Sequence, residues 1–149
     1  IGPEFLAGSY AVWNFFHGDD TPSARAFAEA FQKNHGLHRV TSAPAAAAYS
    51  MVHLWARAAE QAGTTEASAV RETLMGTIFE GPAGRLKVEK NHHISQTARI
   101  GEVQRDGTFA VLEEFGLIEP KPWSPEIEES QGDRCDWTLD RSDAGRFRG

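Results

Sequence analysis

Six histidines, a single cysteine and the carboxylate pair Glu113-Glu114 are where chemistry would first be sought in this chain. His92-His93 comes nearest to a metal site. On a strand, however, adjacent side chains point to opposite faces, and no further ligand pair accompanies them, so they read as part of a turn. His35 and His38 flank the end of a helical stretch, again without partners, and read as loop histidines. Cys135 lies in a polar tail with no nearby histidine, and no GxSxG motif is present, so a nucleophilic triad is not expected. Gly81-Pro82-Ala83-Gly84 has the wrong spacing for a phosphate loop and precedes a strand rather than a helix. Glu113-Glu114 reads as a solvated strand end. No catalytic residue, metal or cofactor is therefore expected. Three aromatic residues are candidates for binding. Trp13 and Phe15 have the faces to stack on a ligand, although filling a core is their commoner use. Tyr49 carries a hydroxyl that would either face a ligand or bond to backbone inside a core.

Composition narrows the partners. The chain has 149 residues, enough for one domain with a real core, and 40% hydrophobic with 24% charged residues is ordinary for a globular protein. Net charge is −6. Nucleic acid and acidic membrane surfaces call for a basic face, so neither is an expected partner. No run is long enough to span a membrane, and no signal peptide is visible. A single cysteine excludes an internal disulfide and leaves the redox compartment open. The chain opens at Ile1-Gly2-Pro3 without a methionine, which favours a fragment of a longer protein.

The elements that would position these residues follow from periodicity. Leu6 to His17 is rich in aromatic and β-branched residues at both parities, which predicts a strand or extended crossing segment covered on both faces. Gly18-Asp19-Asp20 is a turn. Thr21 and Pro22 then start a helix with Ala24, Phe27, Ala28 and Phe31 along one stripe and Gly36 as its stop. A longer helix is expected from Pro44 to about Ala62, stopped by Gly63. Its expected stripe is Tyr49, Val52, Ala56 and Ala59, widened by Leu54, Trp55 and Ala58, so burial on more than one side is predicted. A third helix is expected over Glu66 to Met75, capped by Thr64 or Thr65, with Ala67, Val70 and Leu74 facing inward and Gly76 at its end. Strands are predicted near 85–90, 97–104 and 108–114. Alternation puts Leu86 and Val88 on one face, Ala98 and Ile100 on another, and Phe109 and Val111 on a third, with Asp106-Gly107 as the hairpin signal. A proline-rich strap over Ile118 to Pro125 and a polar tail anchored by Trp137 complete the reading. The fold class is α/β, helices followed by a three-stranded antiparallel meander and an irregular tail.

Taken in order, LAGSYAVWNFF, DTPSARAFAEAF, AAAAYSMVHLWARAAEQAG, EGPAGRLKVEKNHHISQTARIGEVQRDG and EPKPWSP resemble the C-terminal part of a type I periplasmic substrate-binding protein. Within it they are most similar to the urea and short-chain amide branch, and the CDW of the tail is similar to its urea-binding members. The resemblance spans roughly Gly2 to Trp137, in a family whose chains are more than twice as long. It implies two α/β lobes closing on a solute at a hinge. Residues 1–78 would give a crossing strand and first-lobe helices, 79–125 the return, the second-lobe meander and the strap, and 126–149 the tail. Amino-acid-binding relatives carry a Glu before the glycine matching Gly8, where this chain has Ala7. The resemblance therefore implies a small neutral solute, urea or an amide, met by Ala7, Gly8 and Ser9 with Tyr49 approaching from the long helix. It further implies an ABC transporter permease as partner and a periplasmic or extracytoplasmic location. The alternatives are a cytoplasmic amide-sensing regulator of an amidase operon and a branched-chain amino-acid type binding protein. If half of the fold is missing, Phe27, Phe31 and parts of the 44–62 helix should lack partners.

Overall fold

The computed structural model describes residues 2–121 and 126–128. The expectations for Pro122 to Pro125, Cys135 and Trp137 fall outside the described residues. After a single 3₁₀ turn at Pro3–Phe5 come β1 (Tyr10–Trp13), α1 (Pro22–His35), α2 (Ala43–Ala62), α3 (Ala67–Leu74), β2 (Ile78–Gly81), β3 (Gly84–Val88), β4 (Ile94–Val103) and β5 (Phe109–Ile118). This is the expected α/β order, with the three-stranded meander present as β3, β4 and β5.

The helix boundaries sit where their chemistry puts them. Thr21 Oγ1 accepts the Ala24 N–H, and Pro22 occupies the first helical position, where its missing N–H removes no bond. Ser42 caps α2 in the same way, and Gly63 ends it in the left-handed region at φ 66°. The third helix is shorter than expected, and its N-cap is Glu66, which makes no side-chain cap; Thr64 instead accepts the Glu66 N–H.

All five strands form one antiparallel sheet in the order β1-β4-β3-β2, with β5 also paired to β4. Residues 99–102 of β4 pair with β1 and also with β5, so these two strands flank β4 on opposite edges. The short strand β2 was not expected from the sequence. It makes a tight hairpin with β3 in which Gly81 pairs with Gly84. This turn presses on α2: a Cβ at Gly81 would lie 2.8 Å from Ser50 Oγ.

Two apolar clusters fill the interior. One joins Phe15, Ala24, Ala43, Ala46 and Ala83, with Phe27 packed against it. The other joins Leu54, Phe79, Leu86 and Val88, with Leu74 and Ile94 against it. Leu86 and Val88 thus face inward as alternation predicts.

Other expectations are corrected. Tyr10, Val12 and Trp13 are exposed, so β1 is not covered on both faces; burial begins at Phe15 and Phe16. The second helix buries one face only, Ala43, Ala46, Ser50, Leu54 and Ala58, and exposes Met51, Val52 and Trp55. The stripe through Tyr49 and Val52 is the outer one. The expected lack of partners therefore holds for Val52 and Trp55, whereas Phe27 packs edge-on against Phe15 at 5.8 Å. On β4 the buried positions are Ser95, Arg99 and Gly101, and Ala98 and Ile100 are only half-buried. On β5 Phe109 is half-buried but Val111 is exposed. Two register shifts on β5, where Leu112 and Gly116 are passed over in the pairing, break the alternation there.

Candidate ligand-binding site

The segment from Trp13 to Asp19 leaves the sheet and enters α1, and the cavities of interest lie on either side of it. Arg99 on β4 holds it in place. Its Nη1 donates to the Asn14 carbonyl and to Asp19 Oδ2, both at 2.9 Å, and its Nε donates to Glu114 Oε2 at 2.5 Å. The Arg99 and Asp19 side chains are almost wholly buried, at 7% and 6% exposure, while Glu114 is open at 55%. Burial pushes the Asp19 carboxyl above its ordinary value, against the pull of the Phe16 N–H and of Arg99. Phe16, next along, stacks on Phe109 of β5 at 4.6 Å, and the pair lies over Gly101, where a Cβ would come 2.8 Å from the Phe16 ring.

One cavity, of about 300 Å³, is walled by the crossing segment, the Thr41–Pro44 start of α2 and the Asp106–Phe109 turn. His17 enters it from the side. Its Nδ1 lies 3.0 Å from Thr41 Oγ1 and 3.4 Å from the Thr41 amide nitrogen. Asp106 enters from the turn between β4 and β5, where Gly107 takes φ 84° as a tight turn requires. Its Oδ1 accepts from both the amide and the hydroxyl of Thr108, and these bonds hold its carboxyl below the ordinary range. A second cavity, of about 480 Å³, lies on the other side of Trp13 and Pro44, against Ile94, Gln96 and Ile118; Asn14 Nδ2 donates to Gln96 Oε1 across its edge at 2.7 Å.

The expected site residues fall into two neighbourhoods. Gly8 and Ser9 exchange backbone hydrogen bonds with Val103, beside the Asp106 turn, and Ala7 precedes them in the open. Pro3 lies against Gly107 of the same turn. Tyr49 stands apart, 42% exposed, with its ring 5.0 Å from Phe27 and 4.5 Å from His53. It is not a core tyrosine. His53 stacks flat on Phe79 at 4.8 Å, and Arg57 covers the same ring at 5.0 Å. Trp13 and Phe16 border the first cavity, and Phe15 reaches it from the core. Among the described residues no group of histidine, cysteine and carboxylates is placed to hold a metal. His92 takes φ 62° in an exposed turn, as the turn reading expects.

Sequence reasoning did not find Arg99, Asp19, His17 or Asp106 as site residues. A buried arginine at an alternating strand position carries no signal of its own, because the same letter marks a solvated face. His17 was passed over as the end of a strand.

A sequence model of a family described as the periplasmic binding protein domain matches residues 1–129. A protein named limonene hydroxylase from Geobacillus stearothermophilus is 30% identical over 125 residues, 84% of this chain and 23% of that protein. A solute binding protein of an ABC transporter from Rhodopseudomonas palustris, in complex with 3,4-dihydroxybenzoic acid, superposes with a TM-score of 0.69 at 18% identity over 76% of this chain. The branched-chain amino acid transporter substrate binding protein of Streptococcus pneumoniae, in complex with isoleucine, superposes with a TM-score of 0.61 at 25% identity over 79% of it. The chain spans 23% of the curated relative and 32% of each of these structures.

Proposed function

We propose a solute-binding role on this premise: the chain belongs to the periplasmic binding protein family. It is the C-terminal part of the solute-binding component of an ABC importer, works without catalysis, and acts outside the cytoplasm by closing two lobes on a small solute. Closure is then read by the membrane permease. The observation that carries this reading is the family match over residues 1–129. No helix among the described residues is long and apolar enough to cross a membrane.

In this reading residues 1–78 supply the crossing strand and first-lobe helices, and 79–125 the return and the second lobe, followed by the 126–149 tail. The solute is neutral, urea or a short-chain amide. Ala7 stands where amino-acid-binding relatives hold an ammonium group with a carboxylate, and an unpaired cation buried there would be costly. Ala7, Gly8 and Ser9 border the solute, and Tyr49 offers its hydroxyl from α2. The cytoplasmic amide sensor is the same fold read by a different partner. A second solute class, a branched-chain amino acid or an aromatic acid, is favoured by the aromatic wall of Trp13, Phe16 and Phe109 and by the ligands of the compared structures.

Titration calorimetry of the full-length protein with urea, acetamide, leucine and 3,4-dihydroxybenzoate tests both. Saturable heat with urea or acetamide is expected. Binding of leucine or the aromatic acid alone would move the protein to the second class, and no binding of any of them would remove the solute-binding reading.

A further inference from the structure

Among the groups that the fold leaves open at the first cavity are a hydrogen-bond donor and, on an exposed turn, an acceptor. Thr41 fixes the donor. Its amide N–H reaches His17 Nδ1 at 3.4 Å, a contact that only an unprotonated Nδ1 accepts. The Thr41 hydroxyl lies 3.0 Å from the same nitrogen and can give or take a hydrogen there. The amide contact favours the neutral ring with its proton on Nε2, which has no acceptor among the described residues. Thr41 is itself 5% exposed, so this arrangement is shielded from exchange with water. The acceptor is Asp106. Its Oδ1 is taken twice by Thr108, and Oδ2 has no partner among the described residues. Both side chains line the same cavity, whose faces are Trp13, Phe16 and Phe109.

We propose that His17 and Asp106 form a donor–acceptor pair that reads a primary carboxamide or urea, the carbonyl oxygen accepting from His17 Nε2–H and the NH₂ group donating to Asp106, with the aromatic walls against the planar group. This rests on the solute-binding reading above, but it seats the solute in the cavity of His17 and Asp106 and not against Ala7, Gly8, Ser9 and Tyr49, and it adds the polarity of the ligand. It also sets a discrimination. A carboxylate has no proton to give Asp106 and carries its charge, so an acid of the same shape is repelled where the amide is held. Keeping Asp106 ionised, as its Thr108 bonds do, strengthens both effects.

The test uses the full-length protein. Nitrogen-15 NMR of the histidine rings reads the tautomer without any solute: His17 protonated on Nε2 is expected, and a proton on Nδ1 overturns the proposal. Calorimetry with acetamide and acetate follows. Acetamide should bind at least about tenfold tighter than acetate, and His17→Phe or Asp106→Asn should each weaken acetamide about tenfold, the scale of one hydrogen bond. His17→Gln keeps a donor and should retain more binding than His17→Phe. Circular dichroism of each variant separates lost binding from lost folding. If wild type binds acetamide and the folded variants bind it equally well, the pair is not the site, though the solute-binding reading stands. If wild type binds acetate or leucine but not acetamide, the amide assignment is wrong, and if it binds none of the solutes, both readings fall.

Discussion

The β2–β3 end of the sheet is sealed by hydrocarbon, whereas the β1–β4–β5 end is tied by an arginine. At the first end Phe79, Leu86 and Val88 meet Leu54 from α2 and Leu74 from α3, and the helices cover the strands. At the second end Arg99 gathers the Asn14 carbonyl, Asp19 and Glu114, and Phe16 stacks on Phe109. Among the described residues no helix lies over it in the same way: Tyr10, Val12, Leu112, Leu117 and Ile118 are all between 49% and 67% exposed. The difference has a functional sense. A hydrocarbon core fixes two surfaces against each other without caring which residues touch. A buried guanidinium with three acceptors fixes the direction of the segment it holds, and here that segment, Asn14 to Asp19, forms the wall of the candidate site.

Breaking each end should therefore look different. Arg99→Met removes the cation and leaves Asp19 buried without its partner; a loss of about 3–5 kcal/mol is expected in urea denaturation. Adding Asp19→Asn should recover part of it, because the uncompensated charge is then gone while an oxygen remains to accept the Phe16 N–H. No recovery would mean that Arg99 acts through packing alone. At the apolar end, Leu54→Ala empties a site that is 0% exposed and should cost about 2–5 kcal/mol. No second substitution of a charged residue should rescue that loss, and the His17 NMR signals of the folded fraction should stay in place. The Arg99→Met variant should shift those signals, because the wall itself is released.

This contrast also explains what was legible in the sequence. Local signals were readable at both ends: Leu86 and Val88 alternate, Thr21 and Gly63 mark helix ends by chemistry local to a few residues, and Asp106-Gly107 marks its own turn. The helix faces were less so. An alanine-rich helix such as α2 has apolar residues at nearly every angle, so the stripe through Tyr49 and Val52 looked as good as the true one through Ala46, Ser50, Leu54 and Ala58. The inward face of β4 was not legible. The inward positions of β4 are Ser95, Arg99 and Gly101, letters that periodicity assigns to solvent, and they are buried only because Glu89, Asp19 and the Phe16 ring come from elsewhere in the chain to meet them. The bulges of β5 leave no trace in the letters either. Of the expected site residues, Ala7 to Ser9 were placed by resemblance alone, and His17 and Asp106 have significance only through the cavity they share.

A glycine tests the stacking that closes the polar end. Gly101 pairs with Ala11 on one side and Val111 on the other, and the Phe16 ring lies directly on it. A Cβ there would sit 2.8 Å from that ring, closer than van der Waals contact permits. Gly101→Ala should cost about 1–3 kcal/mol as overpacking. It should also move Phe16 off Phe109, visible as changed ring-current shifts of both aromatic spin systems. Gly116→Ala, where an added Cβ meets nothing within 4 Å, is the control and should change neither.

The smallest effect separates the two ends by pH. Glu89, just past β3, accepts from Ser95 Oγ at 2.6 Å and from Lys87 Nζ at 2.9 Å, and these bonds, the serine's first, hold its carboxyl below the ordinary value of 4.5. Asp19, at the polar end, is shifted the other way by burial, above 3.8. The signs follow from proton counting. Between its folded and unfolded values Glu89 binds more protons unfolded than folded, so its stabilisation is complete above the unfolded value and is lost as pH falls through the folded one. Asp19 binds more protons folded than unfolded in its own interval, so its contribution falls as pH rises from 3.8 through the raised value and is most favourable below. Glu89→Gln should flatten the acid side of the stability profile, and Asp19→Asn should steepen it, since the group that gains on protonation has been removed. Denaturant midpoints measured from neutral pH down through the carboxylate range would show the two slopes moving in opposite directions. Slopes that move together would mean that Asp19 is held ionised by Arg99 after all, and that the polar end resists acid no better than the Glu89 carboxylate at the other.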